Sequence, residues 1–251
     1  MPTMISGLGG SAGYGEQSFK TTGGYTGNLD DGSRLIDLTS VFGASGLNLY
    51  GTTYTSVYVN TNGLLTFNSP NPSYTPVQLN TLNQPSIAPF WTDVDISKGG
   101  DIYWDLDPTN GTFTVTWLNT RAYAASGLDS FQVVLTNQGG GNFSVDFIYQ
   151  DINYTNGYTG NATVGFSNGS TMQTVLTGSN SASALANYAN TDFQTDDPVG
   201  VFSLDFQNGI PFFGDGVIDG TVGDDLIDIS YLADPNGDRV DNNDARGYSG
   251  T

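Results

Sequence analysis

TFTVTW (112–117), SFQVVL (130–135) and FSVDFIY (143–149) decide the fold class of this chain. In the first, Phe113, Val115 and Trp117 alternate with threonines. In the second, Phe131, Val133 and Leu135 occupy one parity, and the third repeats the pattern. Period two places successive side chains on opposite faces of a strand, so these segments read as antiparallel strands with one buried side and one wet side. Working outward, Val57 and Val59 in SVYVN, a break at Asn62-Gly63, then Leu65 and Phe67 mark a hairpin. Turn residues punctuate the chain at Asn71-Pro72, Asn110-Gly111, Gly139 to Asn142 and Asn156-Gly157. Helical periodicity is confined to SASALANYAN, around Ala182 to Ala189, so the fold class is all-β: an antiparallel β-sandwich with one short helix. VGVFSLDF (199–206) reads as the closing strand.

Three regions follow. Residues 1–39 are a Gly/Ser/Thr-rich lead-in, expected to be poorly ordered or to supply an edge strand. Residues 40–208 form the sandwich, with the boundary placed between Asn208 and Gly214, and 209–251 form an acidic tail. The chain has 251 residues, enough to bury a real core.

Composition removes several kinds of chemistry. There is no His and no Cys, which excludes the usual zinc sites, Ser-His-Asp and Cys-His nucleophiles and disulfides. Six basic residues against 25 acids give a formal charge of −19, which repels nucleic-acid phosphates and anionic membranes. With neither a bilayer-length apolar run nor a signal peptide in the sequence, membrane insertion is not expected, and any export is expected by another route or by a signal outside the given sequence.

The acids are almost all aspartate, Glu16 being the one glutamate. Nine of them fall between Asp215 and Asp244, among glycines and asparagines. Crowded short carboxylates on glycine turns suit Ca²⁺, a hard cation that takes oxygen ligands. The candidate ligands in the tail are Asp215, Asp219, Asp224, Asp225, Asp228, Asp234, Asn236, Asp238, Asp241 and Asp244. Asp93 and Asp95 in PFWTDVD form a second candidate: on a strand, positions i and i+2 face the same way, and Asp101 follows across Gly99-Gly100. The alternatives for them are an acid/base pair and an acidic strand end that accepts backbone hydrogen bonds. Trp91, Trp104 and Trp117, with the tyrosines, could form a sugar-stacking platform. Strand alternation assigns Trp117 to the core, leaving Tyr50, Tyr54, Tyr58 and Tyr123 as the surface candidates for ligand binding.

The succession YVNTNGLLTFN, SIAPFWTDVDI, GGDIYWDL, TVTWLNT, SFQVVLTN, FSVDFIYQDI and ATVGFSNG resembles the NIDO (nidogen-like) domain over roughly residues 40–206. That resemblance implies a secreted or cell-surface β module associated with adhesion and without a catalytic centre. In the tail, IDGTVGDDLID is similar to one calcium-binding nonapeptide repeat of RTX proteins, with Gly220, Gly223, Asp224 and Asp228 in place and Leu226 or Ile227 as the apolar residue filling the roll. This second resemblance implies type I-like export and further domains of a longer parent chain.

The leading expectation is therefore a non-enzymatic, secreted or cell-surface adhesion module of bacterial type. Its partner would be an extracellular protein or glycan on a cell or matrix surface, and Ca²⁺ would fold or rigidify its tail. One alternative is a Ca²⁺-dependent lectin-like module. Another is a glycoside hydrolase, or a module that cleaves itself under Ca²⁺ at Asp107-Pro108, Asp197-Pro198 or Asp234-Pro235.

Overall fold

The structure is a computed structural model that describes residues 3–194, 198–212 and 226–227. The strands are β1 (Gln17–Ser18), β2 (Ser33–Asp37), β3 (Leu47–Leu49), β4 (Thr52–Tyr54), β5 (Ser56–Asn60), β6 (Leu64–Thr66), β7 (Ser86–Trp91) and β8 (Asp101–Asp107). They continue with β9 (Thr112–Thr120), β10 (Asp129–Gly139), β11 (Asn142–Asp151), β12 (Thr163–Ser167), β13 (Gln173–Val175), β14 (Val201–Gln207) and β15 (Ile210–Phe212). Sheet one runs β1-β8-β9-β10-β11-β14-β15 and sheet two β13-β12-β7-β6-β5-β2, while β3 and β4 pair separately. The three segments that decided the fold class lie in β9, β10 and β11. Their inward residues pair directly across strands, Val133 with Val115 on one side and with Phe147 on the other.

Aromatic rings fill the space between the sheets. Phe131 and Trp117, register partners, stack at 5.0 Å, and Phe143 and Phe206, also partners, stack at 4.8 Å. Phe147 of sheet one lies 4.9 Å from Phe166 of sheet two, and Phe90 bridges to Phe131 at 5.5 Å. Each fully buried ring of this size contributes about 1.5–3 kcal/mol by leaving water. Burial of all three tryptophans removes the expected sugar platform: Trp91 and Trp117 are wholly enclosed and Trp104 nearly so. Their indoles are worth more to the core than to a surface.

Two further expectations are revised. The wet face of sheet one is largely covered, with Thr114, Thr116, Gln132 and Ser144 buried. The covering comes from the lead-in, where Met4 packs on Val134 and Ile148. Gln132 holds it there, its Oε1 accepting from Ile5 N (2.9 Å) and its Nε2 donating to Ile5 O (3.1 Å) and Thr116 Oγ1 (2.7 Å). Part of a polar strand face is thus buried because the Gln132 amide bonds the backbone of a segment laid over it and also satisfies the Thr116 hydroxyl. The lead-in also supplies an edge strand to each sheet, β1 and β2. At the other end β14 is not the last strand, because β15 adds a hairpin and carries sheet one to Phe212. The expected helix is a single turn, Ala182–Leu185, followed by a 3₁₀ turn at Tyr188–Asn190. A second one-turn helix, not expected, spans Thr39–Phe42. Among the described residues no helix is long and apolar enough to cross a membrane.

Candidate functional site

Three loops converge at one end of the sandwich: residues 28–32 before β2, the β5–β6 turn at 61–63, and residues 92–95 after β7. The first is an Asx turn, with Asn28 Oδ1 accepting from Asp30 N at 2.9 Å. Thr61 fastens it, its Oγ1 accepting from Gly32 N (3.0 Å) and donating to Asp30 O, while Thr61 N donates to Gly32 O (2.9 Å). Gly63 is required by this turn. Its φ is +77°, and a Cβ there would lie 2.1 Å from Phe90 O.

Asn62, 1% exposed, is the hub. Its Nδ2 donates to Asp31 Oδ1 (2.9 Å), its Oδ1 accepts from Val94 N (2.8 Å), and its carbonyl accepts from Thr92 N (3.1 Å). One side chain therefore ties two acidic loops together. Asp30, Asp31 and Asp93 come to share a site, with one carboxylate oxygen of each lying within 4.8 Å of the others. Asp93 is only 3% exposed. No hydrogen-bond donor among the described residues reaches Asp93 Oδ1 or Asp30 Oδ1, and both atoms are buried. Burial, with Asp30 and Asp31 close by, pushes the Asp93 carboxyl up to about 7. Asp30 is raised to about 6 by burial and by Asp95 and Asp31. Lys98 opposes both shifts without cancelling them.

The structure thus groups Asp93 with Asp30 and Asp31, which are not among the candidate ligands expected from sequence. Strand β7 ends at Trp91, so Asp93 and Asp95 stand on an irregular segment and the same-face expectation for a strand does not apply. Asp95 instead caps the 3₁₀ turn Ile96–Lys98, accepting from Ser97 N (2.9 Å) and Ser97 Oγ (2.5 Å) and pairing with Lys98 Nζ at 3.1 Å. Burial alone would raise Asp95, but the bonds from Ser97 and Lys98 hold it below the usual carboxylate range. Asp101 is also satisfied, accepting from Ser18 Oγ (2.6 Å) and Ile102 N (2.8 Å). The sequence did carry a signal for the missed pair. Asn28-Leu29-Asp30-Asp31-Gly32 is an acidic glycine turn of the same kind as those weighed in the tail, set in a lead-in expected to be poorly ordered.

Beside the acids lies a row of exposed tyrosines. Tyr74 and Tyr158 meet edge-on at 6.2 Å and Tyr158 and Tyr123 at 5.6 Å, and the three are 44%, 54% and 44% exposed. Lys98 Nζ sits 3.8 Å from the centre of the Tyr123 ring and donates to Tyr123 O at 2.7 Å. Backbone contacts join the row to the acidic site. Tyr123 N donates to Asp93 O (3.1 Å), and Ala124 N to Gly157 O (2.8 Å). Gly157 lies so close that a Cβ would come within 2.1 Å of Asp93 O. Of the tyrosines chosen from sequence, only Tyr123 belongs to this surface. Tyr50 and Tyr54 are half-buried against Phe206 (5.7 Å) and Phe67 (5.0 Å), and Tyr58 is half-buried within β5. Asp129, wholly buried at the start of β10, accepts from Asn153 N (2.6 Å) and Tyr154 N (3.1 Å), and burial raises its carboxyl well above the ordinary value despite those bonds.

The tail ligands Asp215, Asp219, Asp224, Asp225, Asp228, Asp234, Asn236, Asp238, Asp241 and Asp244 lie outside the described residues. Leu226 and Ile227, which are described, are exposed.

The two-sheet antiparallel sandwich with functional groups on its end loops defines a β-sandwich domain. The family model described as NIDO related matches residues 41–205, more than half of the chain, and the chain belongs to that family. Alpha-tectorin of Mus musculus is 32% identical over 135 residues, and that of Homo sapiens 31% over 135 residues. Alpha-tectorin of Gallus gallus is 30% identical over 132 residues. These matches cover 43%, 43% and 41% of this chain and 6% of each relative, so the chain corresponds to a small part of their length. No solved structure matches the chain. Asp93 lies inside the family match, whereas Asp30 and Asp31 precede it.

Proposed function

We propose that this chain is a non-enzymatic extracellular adhesion module, of bacterial type, whose contact face is the loop end carrying Tyr74, Tyr123 and Tyr158. The exposed tyrosine row carries this reading: it offers large, rigid, amphipathic area at low entropic cost, the composition enriched where proteins meet partners. Membership of the NIDO-related family and similarity to alpha-tectorin support an extracellular role. Asp93 and Asp95, one raised and one lowered, have the contrast an acid/base pair uses, but Asp93 is 3% exposed and a saccharide could not touch it without opening the loops. That burial favours binding over hydrolysis.

The reading is tested with full-length protein on immobilised panels of matrix proteins and of glycans, in Ca²⁺ and in chelator. Y123A/Y158A should abolish capture of whichever ligand the unaltered chain binds while leaving its melting temperature nearly unchanged; retained capture would rule the face out. Capture by glycans alone would select the lectin-like alternative, which stacking on tyrosine rings favours. The acidic tail is a separate part of the proposal: we infer that it takes up Ca²⁺ as an RTX-like segment, consistent with type I-like export. Replacing Asp215, Asp219, Asp224, Asp225 and Asp228 with Asn should lower the number of Ca²⁺ ions bound by the full chain.

A further inference from the structure

We propose that Asp30, Asp31 and Asp93 form a Ca²⁺ site inside the sandwich domain, joining the lead-in to the loop after β7. The inference does not depend on the tyrosine face or on the tail. It rests on two independent observations. Three carboxylates lie together, each offering an oxygen within 4.8 Å of the others. And two of their oxygens, Asp93 Oδ1 and Asp30 Oδ1, are buried with no donor among the described residues, Asp93 itself being 97% enclosed.

A buried carboxylate oxygen normally accepts a hydrogen bond, because leaving it bare costs about 1–3 kcal/mol or more when charged. Asp95 and Asp101 obey this rule and are fitted with Ser, Lys or backbone donors. Asp129 leaves Oδ2 bare, but its other oxygen takes two backbone donors and it joins no cluster of acids among the described residues. Asp93 is placed with equal care, yet the groups it meets are two further acids. Asn62 anchors Asp31 Oδ1 and leaves the other oxygen of that carboxylate for a ligand.

The donor set selects the ion. It contains only hard oxygens, and three negative charges are offset by one divalent cation better than by the nearest ammonium, which Asp95 already engages. Ca²⁺ binds oxygens at about 2.3–2.6 Å, so two ligands on opposite sides of one ion are up to about 5 Å apart, which fits the observed grouping. Mg²⁺ demands a near-ideal octahedron and gives up its waters reluctantly, which carboxylates on separate loops suit less well. Water and the second carboxylate oxygens would complete the sphere. Occupancy would pin residues 30–31 to residue 93, whose carbonyl holds Tyr123 N.

The test is calorimetric titration of Ca²⁺ into the full-length chain, its D93N and D31N variants and a D95N control, with thermal melts of each in Ca²⁺ and in chelator. We expect D93N and D31N to bind one ion fewer than the unaltered chain and D95N to keep the full number. The Ca²⁺-dependent rise in melting temperature should shrink in D93N, while its melt in chelator should rise because a buried charge is gone. If D93N binds as many ions as the unaltered chain with the same melting shift, the trio holds a proton and the proposal fails. Should both variants fail to fold, crystals of the unaltered chain grown in Ca²⁺ decide. An anomalous peak among the three carboxylates supports the site, and a map without one overturns it.

Discussion

Asp93 and Asp95 are two residues apart, and the segments around them solve the problem of a carboxylate in opposite ways. The Asp95 segment turns at once into a 3₁₀ turn, which brings Ser97 and Lys98 back onto the acid and holds it ionised. The Asp93 segment runs under the loop of Asp30 and Asp31, where burial and like charge favour the protonated form. The role of an acid is therefore set by the donors its backbone path supplies, and spacing in sequence is a poor guide where a strand ends. Asp95 is locally complete, whereas Asp93 Oδ1 meets no donor among the described residues.

The largest way to break that comparison is to lift the loop that closes over Asp93. A Cβ on Gly157 would fall 2.1 Å from Asp93 O and 2.6 Å from Asp93 N, both backbone atoms that cannot swing aside. Gly157→Val should therefore destabilise the fold by about 3 kcal/mol or more in urea unfolding, with Asp93 becoming accessible. A loss within about 0.5 kcal/mol, the range of an ordinary surface change, would mean that the loop is not seated as described. Asn62→Ala comes next. It removes the donor to Asp31 and the acceptor for buried Val94 N together, at an expected cost of about 2–3 kcal/mol. The same substitution in an Asp95→Asn background should give an additive loss, because Asp95 draws no bond from Asn62. Strong non-additivity would join the two acids into one network.

How much of this was legible in the sequence follows the same division. The strands were, because alternation in TFTVTW and SFQVVL reports a buried face directly, and Val115, Val133 and Phe147 do stack across three strands. The face opposite was not. Gln132 looks solvent-facing until the backbone of Ile5, more than a hundred residues away, both donates to and accepts from its amide. The acidic site was half legible: Asp93 stood out, but its companions Asp30 and Asp31 reach it through Thr61 and Asn62, whose turn was visible only as a hairpin signal. Tyr74 and Tyr158 escaped for a related reason, since loop residues have no periodicity to show which side chains share a surface.

Acidity sharpens the comparison further. Asp93 at about 7, Asp30 at about 6 and Asp129 higher than its ordinary value all exceed the unfolded carboxyl value of about 3.9. The folded chain keeps protons that the unfolded chain releases, so their contribution is full below about pH 4 and is lost as pH rises through the folded values. Asp95 has the reverse sign: its contribution is present above the unfolded value and lost as pH falls through its lowered folded one. In chelator, melting temperature should decline between about pH 5.5 and pH 8, and Asp93→Asn should flatten part of that slope. A melt that climbs steadily over the same interval would show that these carboxyls are not raised.

The smallest expected effect concerns Lys98, and it separates stability from surface order. Its ammonium is 3.1 Å from Asp95, 2.7 Å from Tyr123 O and 3.8 Å from the Tyr123 ring centre, but its side chain is 43% exposed. Water competes for such a charge and a long side chain must be ordered to make the pair, so exposed pairs contribute little. Asp95 also keeps both bonds from Ser97 when the lysine is gone. Lys98→Met should therefore leave the melting temperature nearly unchanged at moderate salt while altering the near-ultraviolet circular dichroism of the tyrosine row. A large drop in melting temperature would show that Asp95 depends on Lys98 for its stability, and the contrast between the two acids would then be one of degree.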